Sequence, residues 1–537
     1  MNKNNLKLLY IIIAITVVFV FLSNSLQVKM NEIRVQEKLS DTTPLENAPP
    51  IIAFTTVALG SFRGILADIL WIRSIRLQDQ GRYFEMVQLA SWITKLQPRF
   101  TGATVYLAWN MAYNISVTCS SFEDRWRWIR KGIELIRDEA IYYNPSDPEL
   151  YKELGWIYQH KLGNVMDDAN IYYKNQMALE MMKVFGAEIP NWKNLASADD
   201  NPEKIMQKNP DIINAMNVAG FKNFSEMERD FRERGSFNQN MKGALAKNSD
   251  VLNFELSLRK KWLREKYKLD PVKIAELNKK YGELDWRLPE AHAIYWANLG
   301  IKYDKSGEVN INCDRMIAQS LKEAFMAGKI LIYDENDFRN FMTTPNLEIA
   351  DAVRRNFEEA YKRQKAETFR GGLENFMIDA MVTLYNFGQY AKAEEYLNLL
   401  RELSPGNKRF KYPLDVIVIR EWVDDSQMAT PRQAMSIISG LIYRACNLLA
   451  AGERDAATAH EKMAAAVYAR YRSEQKDTWV RMGLPPFETI KSDITQKCIE
   501  GFPEKISLML RAELENIENE RKIQQKIKPP EKENEPK

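Results

Sequence analysis

The chain has 537 residues and carries 75 Lys+Arg against 72 Asp+Glu, a formal net charge of +3. That balance excludes a strongly basic nucleic-acid surface as its leading feature, and the length exceeds what one hydrophobic core organises, so two or more packing units are expected. With only 23 Gly and 21 Pro, abundant Leu, Ala, Glu, Lys, Arg and Met, and few stretches alternating apolar and polar residues, the composition predicts an all-α protein.

Residues 1–30 read as an N-terminal transmembrane or signal-anchor segment. Leu8 to Leu22 is an apolar run after a short polar start with Lys3 and Lys7, and Leu26, Val28 and Met30 extend it. The run alone is shorter than the roughly 20 residues that span a bilayer, so cleavage as a signal peptide near Ser25 is the alternative. Long downstream domains cross a membrane largely regardless of flanking charge. The expected location is therefore the inner membrane, single-pass, with the bulk of the chain extracytoplasmic. Residues 31–50 form a polar stalk ending in Asn47-Ala48-Pro49-Pro50, which no helix should cross.

Residues 51–189 read as a first helical block. Ile51 to Leu59 is apolar, but Arg63, Asp68, Arg73 and Arg76 follow at once, so it reads as an opening helix rather than a second membrane span. Gly81-Arg82-Tyr83 is followed by Pro98. Tyr106-x2-Trp109-Asn110-x2-Tyr113 and Tyr151-x2-Leu154-Gly155-x2-Tyr158 share one frame. Residues 190–284 break the pattern: charge rises, apolar periodicity is patchy, and Asn, Lys and Asp dominate. This stretch is expected to be a charged, irregular helical insertion, disordered in part. Asp270-Pro271 marks a helix start.

The periodicity resumes over 285–515, and its clearest signal is Trp296-x2-Leu299-Gly300-x2-Tyr303. These positions recur at i, i+3, i+4 and i+7, one face of a helix. A mid-helix glycine costs roughly 1 kcal/mol against alanine, and close approach of a partner helix is the reason to keep it. Gly388-Gln389-Tyr390 is followed by Pro405 at the same offset as the Gly81 copy, and a weaker copy runs from Gly452 to Ala464. Residues 516–537 are half charged, contain Pro529 and Pro530, and read as a frayed helix end followed by a disordered charged tail.

The W-x2-L-G-x2-Y frame resembles the first helix of a tetratricopeptide repeat. The resemblance implies an α-solenoid of helix-turn-helix repeats. Further similarity lies in Asp285-Trp286-Arg287-Leu288-Pro289-Glu290-Ala291-His292, in Phe62 to Trp71 with Gly81 to Phe84, and in Trp109 to Asn114. Together these resemble a family of bacterial membrane-anchored proteins with degenerate tetratricopeptide repeats. That family carries no assigned activity, so no catalytic residue is transferred from it.

Chemical motifs are sparse. The sequence contains no phosphate loop, no G-x-G-x2-G and no G-x-S-x-G elbow. His160, His292 and His460 are scattered, and no cofactor or metal is expected. Cys119, Cys313, Cys446 and Cys498 include no C-x2-C. In an oxidising compartment a pair among them can bridge, and spacing does not say which. Asp285, Arg287, Glu290 and His292 are the one cluster suited to acid–base work, with a capped helix start as the structural reading. The expected function is a scaffold that holds another envelope protein's segment in a groove lined by Asn114, Lys152, Trp156, Gln159, Asp304, Tyr385 and Asn386. The alternatives are an α/α-toroid enzyme on envelope glycans, with paired carboxylates across a cleft, and a purely structural subunit of an envelope complex.

Overall fold

The structure is a computed structural model that describes residues 62–164, 168–186, 189–246, 250–307, 310–332, 335–338, 341–424, 431–474 and 484–527, with short helical stretches between 15 and 33. The described chain is all-α apart from one small hairpin. The run Leu8 to Leu22, the stalk, Ile51 to Leu59 and residues 528–537 lie largely outside the described residues. Among the described residues no helix is long and apolar enough to cross a membrane.

Helices α1 (Phe62–Asp79) and α2 (Tyr83–Leu96) form the first hairpin. Helix α3 (Thr101–Trp109) widens into a π-helical turn, Asn110–Ile115, and ends in Ser116–Thr118. Helix α4 (Phe122–Glu134) widens likewise through Leu135–Ala140 into Ile141–Tyr143. Helix α5 (Pro148–Trp156) widens through Ile157–Gly163, and α6 (Asn170–Phe185) follows.

One backbone turn recurs along the chain, at Gly81, Gly388 and Gly452 and also at Gly220 within residues 190–284. At Gly81, Gly388 and Gly452 the amide bonds the carbonyl three residues back, and the next amide bonds the one five before it. All three glycines have φ between +70° and +83°, the left-handed close of a Schellman turn that a side chain resists. The second helices end alike too. Gln97, Asn144 and Ser404 each precede a proline, with φ of −130°, −133° and −132° and ψ of 69°, 66° and 65°. Proline cannot continue a helix and pushes its predecessor out of helical conformation. Asn144-Pro145 is a copy that residue matching alone did not reveal.

Residues 190–284 hold α7 (Trp192–Ser197), α8 (Pro202–Lys208), α9 (Pro210–Val218), α10 (Phe224–Arg234), α11 (Gln239–Leu245), α12 (Val251–Trp262, widened through Leu263–Tyr267) and α13 (Pro271–Tyr281). The asparagines that make this stretch look irregular are helix caps. Asn191, Asn201, Asn209, Asn223 and Asn238, with Asp270, each accept a hydrogen bond from an amide in the first turn of the helix that follows. The basic run Arg259-Lys260 is buried and closes other helices. Arg259 donates to the carbonyls of Lys183, Val184 and Gly235, and Lys260 to those of Ala196 and Ala198. Cations at helix C-termini satisfy orphan carbonyls and oppose the helix dipole. Phe231, Phe237, Phe254 and Trp262 fill the centre of this block.

After the block the chain returns to α5. Helix α14 (Pro289–Tyr303) packs directly on α5 and on α15 (Asn310–Ala327), so the helices before and after residues 190–284 adjoin. Tyr151 stacks on Tyr303 at 5.0 Å between ring centroids and on Trp296 at 6.2 Å. Both repeat glycines sit at this contact. A Cβ on Gly155 would lie 2.7 Å from Met316 Sδ and 3.3 Å from the Ala293 carbonyl oxygen; one on Gly300 would lie 2.8 Å from Cys313 Sγ.

Strands β1 (Lys329–Ile332) and β2 (Met342–Thr344) pair antiparallel, Lys329 opposite Thr344. Helices α16 (Ala350–Gln364), α17 (Glu367–Asn386), α18 (Tyr390–Leu403), α19 (Leu414–Asp424), α20 (Pro431–Ala450), α21 (Arg454–Glu474), α22 (Phe487–Gly501) and α23 (Glu504–Ile527) complete the chain. Helix α23 continues to Ile527, and Arg454 pairs with Glu513 and Glu520 and fixes it to α21. One expectation is corrected. Trp109, expected at a packing position, is exposed with Tyr106, while Ala103, Thr104, Leu107 and Ala108 take the buried face of α3. Small residues pack there because α4 comes close: a Cβ on Gly132 would lie 2.6 Å from the Ala108 carbonyl oxygen.

Candidate functional site

Three of the seven groove residues meet in one cleft of about 360 Å³ between α5 and α15. Lys152, Trp156 and Gln159, with Glu153, form one wall; Asn312, Arg315, Met316 and Gln319 form the other. Lys152, Trp156 and Gln159 fall at i, i+4 and i+7, so α5 presents them on one face. Gln159 is the floor: its amide donates to the Met316 carbonyl at 3.1 Å and to Ser320 Oγ at 3.2 Å. Lys152 is held between Glu149 and Glu153, which keeps its ammonium charged and raises its pKa against the burial that opposes it.

Trp156 is 38% exposed. Its indole lies flat on His160, centroids 4.6 Å apart and planes 13° apart. His160 Nδ1 is 3.2 Å from the Tyr113 hydroxyl, and Tyr113 stacks on Trp109 at 5.2 Å. The result is an aromatic ribbon from α3 across α5 to the rim of the cleft. Burial, with Lys161 beside it, lowers the His160 pKa, so the ring stays neutral and serves as a stacking platform.

The other groove candidates lie elsewhere. Asp304 caps the turn after α14, accepting from the amides of Ser306, Gly307 and Asn310. Asn114 donates to Asn110 Oδ1 within the π-helical turn of α3. Tyr385 packs edge-on against Tyr390, and Asn386 is buried at the end of α17.

The cluster Asp285, Arg287, Glu290 and His292 separates. Asp285 receives Arg287 in a bidentate pair at 2.8 and 2.6 Å and accepts the Ile330 amide of β1. Glu290 is buried against Gly163, 3.8 Å from Lys174 Nζ, and burial raises its pKa. His292 is buried and donates from Nε2 to the Trp286 carbonyl at 3.0 Å, leaving Nδ1 as an acceptor. Burial, with Arg137 nearby, pushes its pKa down to about 4.

Sequence matching gave no sign of the chamber that His292 lines. Trp126, Arg137, Tyr158, Met177 and Tyr267 share it, and three π-helical turns bring Arg137, Tyr158 and Tyr267 together. Arg137 is bound by Asp138 through two 2.7 Å bonds and lines the chamber with Tyr158. At about 40 Å³ the chamber has room for a few waters. It opens past Glu180, Lys266 and Tyr267 into a cleft of about 650 Å³ between α6, α10 and α12. In that cleft Glu228 pairs with Lys261, and Arg232 binds both Glu228 and Glu265. Among the described residues no group of His, Cys, Asp and Glu is arranged to hold a metal ion.

Compared with family models, with curated proteins and with solved structures, the chain matches none.

Proposed function

We propose that the chain is a membrane-anchored, extracytoplasmic α-solenoid of tetratricopeptide-like repeats that holds a segment of another cell-envelope protein in the α5–α15 cleft. The observation that carries the reading is Trp156: a large apolar ring, half exposed, pre-stacked on His160 at the rim of a polar cleft. Rigid aromatic anchors with charged and amide neighbours are what protein-binding hot spots are made of. Lys152, Glu153, Arg315 and Gln319 around it suit a peptide backbone and mixed-charge side chains. The recurring turns at Gly81, Gly388 and Gly452 and the recurring ends at Gln97, Asn144 and Ser404 support stacked helix pairs as the architecture. Against an enzyme on glycans stands the use of the clefts' carboxylates: Glu180, Glu228 and Glu265 are engaged by Arg130, Arg232 and Lys261.

The test is recovery of the crosslinked partner with full-length protein from cells. Trp156→Ala is expected to lower recovery about tenfold or more with the melting temperature nearly unchanged, since truncating an anchor costs roughly 1–4 kcal/mol of binding. Trp92→Ala, an exposed aromatic on α2 away from the cleft, is expected to leave it unchanged. Equal recovery from all three proteins would remove the cleft from the function.

A further inference from the structure

We propose that Cys446 of α20 and Cys498 of α22 are a disulfide-forming pair, oxidised in the folded protein by exchange with a disulfide oxidant of the cell envelope. The two are 52 positions apart, 498 less 446, yet the fold brings them together. Helix α22 packs on α20, and both thiols are buried in that contact. Cys446 Sγ lies 3.8 Å from Thr495 Oγ1. Thr495 and Cys498 are three residues apart on α22 and therefore share a face. Each thiol perturbs the ionisation of the other.

The other two cysteines are placed elsewhere. Cys119 donates to the Ile115 carbonyl at 3.6 Å, and Cys313 packs against Gly300. Neither is offered a partner thiol, so the pairing that spacing left open has one geometric solution among the four.

The chemistry is asymmetric. Hydrogen bonding from Cys498 holds the Cys446 thiol below its usual range, whereas that bond and burial push Cys498 up. Cys446 is thus the sulfur that ionises first, and the thiolate is the attacking form. It attacks one sulfur of the oxidant's disulfide, forms a mixed disulfide and expels the first thiolate. Cys498 then loses its proton, attacks the Cys446 sulfur and expels the second. Two thiols become one disulfide, two protons leave, and the oxidant ends as two thiols. Because the helices close over the pair, exchange takes place during folding or local opening. The cross-link then constrains the C-terminal helices by limiting the unfolded chain.

The pairing stands on the packing of α22 against α20 at Cys446 and Thr495, whereas its oxidation in the cell rests on the extracytoplasmic location proposed above. Full-length protein, solubilised in detergent and fully reduced, is equilibrated with oxidised glutathione, then denatured, alkylated and peptide-mapped. The expected result is loss of two of the four alkylatable thiols, a peptide linking Cys446 to Cys498, and a higher melting temperature than the reduced protein. Cys446→Ser and Cys498→Ser should each retain three alkylatable thiols and show no redox-dependent melting. Four thiols after equilibration, or a cross-link through Cys119 or Cys313, overturns the pairing. A second arm quenches intact cells with acid before alkylation. A pair that oxidises in the tube but is reduced in cells overturns the oxidation and the proposed location, and leaves the pairing standing.

Discussion

The helix pairs on either side of the 190–284 block and the block itself solve one problem with different emphasis. Every helix leaves amides unpaired at its start and carbonyls at its end. The flanking pairs close their helices with backbone devices, a left-handed glycine at Gly81, Gly388 and Gly452 and a proline after Gln97, Asn144 and Ser404. The block uses left-handed glycines too, at Gly220, Gly235 and Gly282, but adds side chains far more often: asparagine or aspartate starts six of its helices, and buried Arg259 and Lys260 close helix ends in the block and at the end of α6. A backbone device leaves the neighbouring side chains free to vary along a surface. A side-chain device commits a charge to the interior, where its loss is costly. The block is therefore the more heavily side-chain-braced of the two regions.

The largest effect should come from the block. Arg259→Ala strands three buried carbonyls and an acidic partner, Glu255. Each orphaned acceptor costs about 1–3 kcal/mol, so chemical denaturation should show a loss of roughly 3 kcal/mol or more. A loss below about 1 kcal/mol would mean that water replaces the guanidinium and that the brace is illusory.

The pairs break through steric contact instead. Gly132→Ala puts a methyl 2.6 Å from a backbone oxygen that cannot move alone, and Gly300→Leu drives into Cys313 and Pro148. Each is expected to lower stability by about 1–3 kcal/mol. Gly440→Ala is the sharpening control: nothing lies within 4 Å of the added Cβ in mid-α20, so a gain of up to about 1 kcal/mol is expected. Similar losses at all three sites would sink the close-approach explanation.

His292 tests the join between the regions by pH. Its folded pKa lies below its unfolded value, so between about pH 4 and 6.5 the unfolded chain binds more protons at this site. Its contribution to stability therefore rises with pH across that window and levels off above it, at up to about 1.4 kcal/mol per pH unit. Glu290, whose pKa is raised, contributes with the opposite sign. The diagnostic quantity is therefore the difference between the parent and His292→Gln curves. A difference independent of pH would mean that His292 is solvated. The smallest effect is expected at a cap: Asn223→Ala should cost about 1 kcal/mol.

The all-α class and the repeat turns were legible because glycine and proline act locally. Gly155 and Gly300 were legible as contacts, since a mid-helix glycine has few other uses, but that they face the same interface required the fold. Helical spacing also put Lys152, Trp156 and Gln159 on one face. The opposing wall, Asn312 to Gln319, comes from a helix about 160 residues later in the chain and carries no local mark. Trp109 shows the limit of periodicity, which defines a face without saying whether it looks inward. In the block, asparagine and lysine density looked like disorder because composition does not distinguish a solvated side chain from one bonded to a helix end. Asp304 caps a turn away from the α5–α15 cleft for a related reason: a short acidic side chain at the end of a helix is a turn former before it is a ligand.

The central claim is that the α5–α15 cleft is where a partner sits. Replacing Gln319 with a benzophenone-bearing residue in cells and irradiating tests it directly, with the same residue at the exposed Gly440 as the control. The expected result is one discrete adduct with a second polypeptide from position 319, none from 440, and loss of the 319 adduct when Trp156→Ala is added. No adduct from 319, or the same adducts from both positions regardless of Trp156, would contradict the account.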